Sequence, residues 1–531
     1  RGAIRTFSPQ WWEAIHTALK TATECGVEIG IFNCPGWSQS GGPWIDSSRT
    51  MRYLTGSIQE VSGPDTVTLK YPRRSDEFQD VRVIAFPKPK NARLDFTIPE
   101  GFVADKGAEA VLEITVSEPF TARSLTVQTA ETPINGTGRL EAKIDGTYQT
   151  IREFPISRYN SALDVGFIPY APVVVSFPAV EADGFRLVIS SDRDGVGLKS
   201  ACLELAPRMD FYPEKTLAKM HQTPHPLWSD YQWPLPAEID DLKTVLDPAE
   251  LKDLTDLFEE NKNLRWEVPE GEWLDFWTGM VPTGAKNAPA VPEATGYETD
   301  KMSREHIFHH FDAMMGEILR RIPEEDRKSF RIVVQDSYEV GGQNFTDGML
   351  RDFAARYGYD PTPFLPAWFG YVVGDVKTTE RFLWDLRRYI ADEVAYSYVG
   401  GLRDISNEYG LTTWLECYGH WGFPGEFLLY GGQSDEVAGE YWSEGTLGDI
   451  ENRIASSCGH IYGKRRIWSE SNTCAGNPFG RSPIDMKIRT DRFFSEGINQ
   501  SLLHLYVQQP DERLPGMNAW FGNEFNRHNT W

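Results

Sequence analysis

A chain of 531 residues exceeds what one ordinary hydrophobic core serves, so two or three domains are expected. With 53 Lys and Arg against 77 Asp and Glu, the net charge of -24 offers no basic stripe for phosphates and no attraction to an anionic bilayer. The six cysteines have no zinc-site or disulfide-framework spacing, and no apolar run of about 18 residues occurs, so nucleic acid binding and a membrane span are excluded.

Residues 8–25 carry the signature of a helix: Ser8 to cap it, Pro9 in its first turn, and Trp12, Ile15, Leu19 and Ala22 on one face. Gly26 closes it and an apolar run at 27–32 follows as a strand, the α-to-β step of a parallel sheet. That run ends at Asn33 in a Gly- and Pro-rich loop, 34–44, which presents Trp37 and Trp44. From about residue 51 the texture changes. Short strand-like segments recur at 81–86, 110–116, 123–129, 139–144, 173–177 and 185–189, which predicts an all-β, sandwich-like module. Residues 264–268 and 273–277, joined across Pro-Glu-Gly-Glu, read as a further hairpin.

Helix–strand alternation returns near residue 296. Helices are predicted over 303–322, 346–357, 379–408, 446–458 and 485–497, interleaved with strands at 331–335, 411–415, 437–441, 466–469 and 501–506. No glycine-rich phosphate fingerprint follows any of these strands, while acids collect at their ends, which favours a barrel over a doubly wound sheet. The expected fold is α/β: an incomplete (β/α)8 TIM-type barrel, its first two strands outside the sequence, with an inserted all-β sandwich-like domain. Residues 1–50 start the barrel with its third strand and loop, 51–290 form the insertion, and 291–531 supply the rest of the catalytic barrel.

In parallel α/β folds side chains converge on a ligand at the C-terminal ends of the strands. Glu339 and Glu470 stand just past two such ends and suit glycosidic bond hydrolysis, which needs a proton donor and a base or nucleophile. Glu416, Glu436 and Glu440 add hard oxygen donors that fit Ca2+ and not zinc, with Glu440 and Glu436 as the candidate ligands. Trp37, Trp44, Trp442 and Trp468 offer rings for a sugar face, and Asn33, Asp336, Glu416, His420 and His504 offer polar groups for its hydroxyls.

Four stretches taken together, CPGWSQSGGPWI (34–45), WEVPEGEW (266–273), GYETDKMS (296–303) and the closing NRHNTW (526–531), resemble glycoside hydrolase family 106, the bacterial α-L-rhamnosidases. The likeness covers most of the chain, is weakest in the β insertion and is most specific in GWSQSGGPW. It implies a (β/α)8 barrel with β-sandwich domains and calcium-dependent, inverting hydrolysis of a rhamnose-containing oligo- or polysaccharide. A periplasmic or extracellular location would follow, with the export signal outside this sequence. By position, Glu339 at the fourth barrel strand is similar to the family's general acid and Glu470 at the seventh to its general base. Two alternatives stand beside this: a retaining glycosidase with Glu470 as nucleophile, and a non-catalytic carbohydrate-binding protein.

Overall fold

The helix–strand alternation builds one parallel sheet of six strands: Ile29–Phe32, Phe330–Gln335, Thr412–Glu416, Glu436–Trp442, Ile467–Thr473 and Gln500–Leu503. They lie side by side in chain order, each parallel to the next. A doubly wound sheet reverses its order at a switch point; strictly sequential parallel order is that of a barrel wall. The sheet is a curled, partly closed half-barrel, and its strands are called the first to sixth below. The computed structural model describes residues 4–71, 75–158, 166–221, 232–234, 236–258, 263–419, 422–519 and 521–531.

Local chemistry sets the helix ends. Ser8 Oγ accepts the Trp11 amide at 3.3 Å and opens Pro9–Cys25, and Gly26 ends it in the left-handed conformation at φ 70°. The predicted helix over 303–322 is a single helical run from Arg304 to Arg321 with a π turn at Asp312–Gly316. A second long run, Val376 to Glu408, carries a π turn at Val394–Val399. Their apolar faces (Ile307, Met315, Leu383, Ile390, Leu402) meet Val333, Leu415 and Val437 from the sheet in one core.

Between the first and second strands lie two larger antiparallel sheets. The segments predicted at 110–116 and 123–129 are one strand, Glu109–Thr129, and those at 173–177 and 185–189 are another, Val173–Ser191. Register shifts in the middle of this pair let both strands bend without ending. They belong to a six-stranded sheet with its own core, including Leu125, Val127, Leu140, Val175 and Leu187.

The hairpin expected at 264–268 and 273–277 is not formed. Asn263–Pro282 is one continuous strand, paired along its length with Arg52–Lys70. Both segments take the same neighbour in one running register, so the chain does not reverse between them, and of the four linking residues only Gly271 has positive φ, at 112°. Pro269 and Glu270 make a bulge opposite Pro64, and the strand runs on from Gly271, which pairs with Gly63. One face of this four-stranded sheet packs on itself through Val83, Trp266 and Trp277. The other sends Ile84, Phe86, Leu274 and Phe276 into the core shared with the barrel. Arg52, at the start of that sheet and buried, donates to Asp300 at 3.2 Å and Asp347 at 2.6 Å on the barrel side.

Candidate active site

All six strands deliver polar groups to one end of the half-barrel. Asn33 follows the first strand, Asp336 the second, Glu416 ends the third, and Glu440 and Glu470 lie in the fourth and fifth. His504 follows the sixth. Glu440 and Glu470 are register partners on adjacent parallel strands, so the pleat sets two carboxylates side by side. One oxygen each of Asp336, Glu416 and Glu470 lies within 4.8 Å of the others.

This crowding is legible in the acidities. Burial, then the charges of Glu470 and Glu339, pushes Asp336 up to about 7, against a hydrogen bond shared with Glu416 that works the other way. Burial and the neighbouring Asp336 raise Glu416 well above the ordinary range, and burial with the Glu470 charge does the same to Glu440. The Trp442 indole N–H donates to Glu440 Oε1 at 2.6 Å. Glu416 Oε1 is buried and accepts no hydrogen bond. His504 Nδ1 stands 3.9 Å from Glu470 Oε1. An oxygen-only set of clustered acids, with one orphaned buried oxygen, fits a hard divalent cation.

The two carboxylates expected to do acid and base work are each held by a hydroxyl. Ser337 Oγ donates to Glu339 Oε1 at 2.8 Å, and Thr473 Oγ1 donates to Glu470 Oε1 at 2.8 Å. Trp37 Nε1 donates to Glu339 Oε2 at 3.3 Å. The Trp37 ring meets Phe521 edge-on at 5.5 Å, and Phe521 stacks on His504 at 5.6 Å. A chain of three rings thus runs from Glu339 to Glu470.

The loop that brings Trp37 here is fastened from below. Lys301, wholly buried, donates to Glu298 Oε2 at 2.6 Å; Glu298 also takes Ser38 Oγ at 2.7 Å and the Ser40 amide at 3.0 Å. Between them Gln39 sits at φ 143°, a conformation residues with a Cβ rarely adopt. Its Nε2 donates to the Asp336 carbonyl, and its Oε1 accepts Tyr398 at 2.7 Å and Tyr430 at 3.2 Å. Asn33 Nδ2 donates to the Gln39 carbonyl at 3.1 Å and to Ser40 Oγ, while its Oδ1 is buried without a partner.

Of the residues singled out from the sequence, the structure brings Asn33, Trp37, Asp336, Glu339, Glu416, Glu440, Trp442, Glu470 and His504 to this end of the sheet. It does not bring Glu436, Trp468 or Trp44. Glu436 opens the fourth strand, pairs with Arg466 at 2.9 Å and accepts the Trp468 indole at 2.5 Å, so both lie at the entry end of their strands. Trp44 donates to His310 Nδ1 at 3.1 Å and packs on Phe7. His420 lies outside the described residues. Phe521 and Gln39 join the site without having been singled out. Gln39 stands inside GWSQSGGPW, the most specific of the four motifs, whereas nothing in the sequence around Phe521 marks it.

Carboxylates gathered at the strand ends of a barrel wall are what a glycoside hydrolase requires. The model of glycoside hydrolase family 106, described as alpha-L-rhamnosidase, matches residues 2–531, and the chain belongs to that family. The solved rhamnosidase from Novosphingobium sp. PP1Y is 26% identical, superposes with a TM-score of 0.81, and is matched over 99% of this chain and 52% of its own. A Formosa agariphila protein named provisionally as a beta-glucuronidase is 26% identical over 534 residues, covering 100% of this chain and 35% of that protein. The chain thus spans about a third of the curated relative and about half of the solved rhamnosidase.

Proposed function

We propose that this chain forms the catalytic barrel of an inverting α-L-rhamnosidase that removes terminal rhamnose from an oligo- or polysaccharide. The observation that carries the reading is that Glu339 and Glu470, each held by its own hydroxyl, stand at the two ends of the Trp37–Phe521–His504 ring chain, with Glu470 beside the buried Asp336. Glu339 is the general acid that protonates the leaving oxygen, and Glu470 is the base that draws a proton from water on the opposite face of the ring. Positive charge that develops on the sugar is met by the acid cluster, and the rings of Trp37 and Phe521 suit the apolar C5-methyl edge of rhamnose.

Calcium fits the cluster through Asp336 and Glu416, with Glu470 near enough to lend one oxygen while its other faces water; this replaces the expected Glu440–Glu436 pair. Bound there, the ion would engage vicinal sugar hydroxyls. Among the described residues no helix is long and apolar enough to cross a membrane. A polymeric substrate places the protein in the periplasm or outside the cell.

The test is hydrolysis of an aryl α-L-rhamnoside with and without chelator. The reading expects turnover that chelation removes and calcium restores. Rhamnoside binding without turnover, in folded protein with calcium present, would leave a carbohydrate-binding protein in its place.

A further inference from the structure

A second feature lies outside the acid cluster. A cavity of about 640 Å³ opens between the helix Val376–Glu393, residues 217–221 and the stretch 423–428. That is the size of a site for a sugar residue or two. Trp384 lines it with 58% of its surface exposed, on an amphipathic helix whose other large apolar side chains, such as Phe382, Leu383 and Leu386, are buried. Arg387 and Arg388 follow three and four residues on, so all three project from one side of the helix. The opposite wall is Phe427, stacked on Phe423 at 4.6 Å. Phe423 in turn packs edge-on against Tyr338 at 5.3 Å, so a wall of rings separates this cavity from Glu339 and Asp336.

Its charges are unequal in their commitments. Arg388 is held by Glu426 and Asp392, and Glu214 by Arg158 at 2.8 Å. Lys219 Nζ donates to the Met220 carbonyl at 2.5 Å. Arg387 is different. One guanidinium N–H reaches the Lys215 carbonyl at 3.2 Å, and its nearest carboxylate, Glu380, stands 3.9 Å away and is taken by Lys215 Nζ at 2.6 Å. Its side chain is only 20% exposed, so a guanidinium with a weak counter-charge faces a concave space in a protein of net charge -24.

We propose that this cavity is a secondary carbohydrate site that takes a pyranose bearing a carboxylate, a hexuronic acid residue. The exposed indole of Trp384 offers a flat face to the axial C–H bonds of the ring, and the Arg387 fork offers paired donors to the carboxylate. An acidic peptide shares the carboxylate but not the stacking face, which is why the sugar is favoured. The site is separate from the acid cluster, so it stands or falls independently of the hydrolytic reading.

The test is calorimetric titration of the full chain with trigalacturonic acid and with uncharged galactotriose. The acidic sugar is expected to bind at least about ten-fold more tightly. Trp384→Ala is expected to weaken it by about the same factor and to leave turnover of a small aryl rhamnoside unchanged. Arg387→Gln should erase the preference for the charged sugar, and Glu470→Gln should leave both affinities in place. If Arg387→Gln fails to fold, Trp384→Ala decides alone, because its side chain is exposed. Equal affinity for the two sugars, binding indifferent to Trp384→Ala, or triaspartate binding as tightly as trigalacturonate would each overturn the proposal.

Discussion

Burial and two neighbouring carboxylates raise Asp336 from 3.8 to about 7, so over that window the native protein holds a proton that the unfolded chain releases. Stability must fall as pH rises wherever the native state binds more protons, so without a divalent cation the fold weakens between about pH 4 and about pH 7. Glu416 and Glu440, also raised well above the ordinary carboxylate range by burial and neighbouring carboxylates, add to that loss. A bound cation takes the place of those protons and reverses the slope. Thermal scans in chelator are expected to show the melting temperature dropping across this range, with calcium giving a gain that grows with pH. A calcium gain largest at the acid end would contradict this linkage. Glu339 and Glu470 are separated by a different measurement. Glu470→Gln is expected to lower kcat about 10²–10⁴-fold on every rhamnoside, whereas Glu339→Gln should do so on alkyl rhamnosides and far less on aryl rhamnosides with acidic leaving groups. Equal losses across leaving groups would remove Glu339 from the role of acid.

The loop 36–42 shows how buried residues beneath the site set its geometry. Glu298 and Lys301 are both fully buried and hold Ser38 and Ser40, which fixes Gln39 against Asp336 and Trp37 against Glu339. Lys301→Met leaves Glu298 buried without a counter-charge and is expected to cost about 3–5 kcal/mol in denaturant unfolding. Adding Glu298→Gln should recover part of that loss; no recovery would mean the pair is not what fastens the loop. Much at this level could be read from the sequence, because apolar runs that stop in acids mark strand ends and because Ser8, Pro9 and Gly26 bracket a helix by their own chemistry. What escaped depends on pairing across long distances. The tract Glu470-Ser471-Asn472-Thr473 looks like a loop, yet the fifth strand runs to Thr473 because it pairs with the sixth strand as far as Ser471 and with the fourth as far as Thr473. Glu436 and Trp468 are the first and second residues of the fourth and fifth strands, and so lie at the end away from the acids. Phe521 reaches Trp37 across more than four hundred residues, a contact with no local signal.

At the level of the folded chain, the cores divide unevenly. The four-stranded sheet shares Ile84, Phe86, Leu274 and Phe276 with the barrel, whereas the six-stranded sheet keeps its core to itself. Calorimetry is expected to resolve two transitions, one for the six-stranded sheet and one for the barrel with its attached sheet. Leu187→Ala, at a wholly buried position of the six-stranded sheet, should lower only the first, by about 2–5 kcal/mol. A single transition moved as a whole would show the two units to be coupled.

The central claim is that a water activated by Glu470 attacks the face of the rhamnose ring opposite Glu339. Proton NMR of the sugar released from an aryl α-L-rhamnoside, recorded before the anomers equilibrate, reads that directly. β-L-rhamnose as the first product is the predicted result. α-L-rhamnose first would contradict the claim: Glu470 would then be a nucleophile and the enzyme a retaining one.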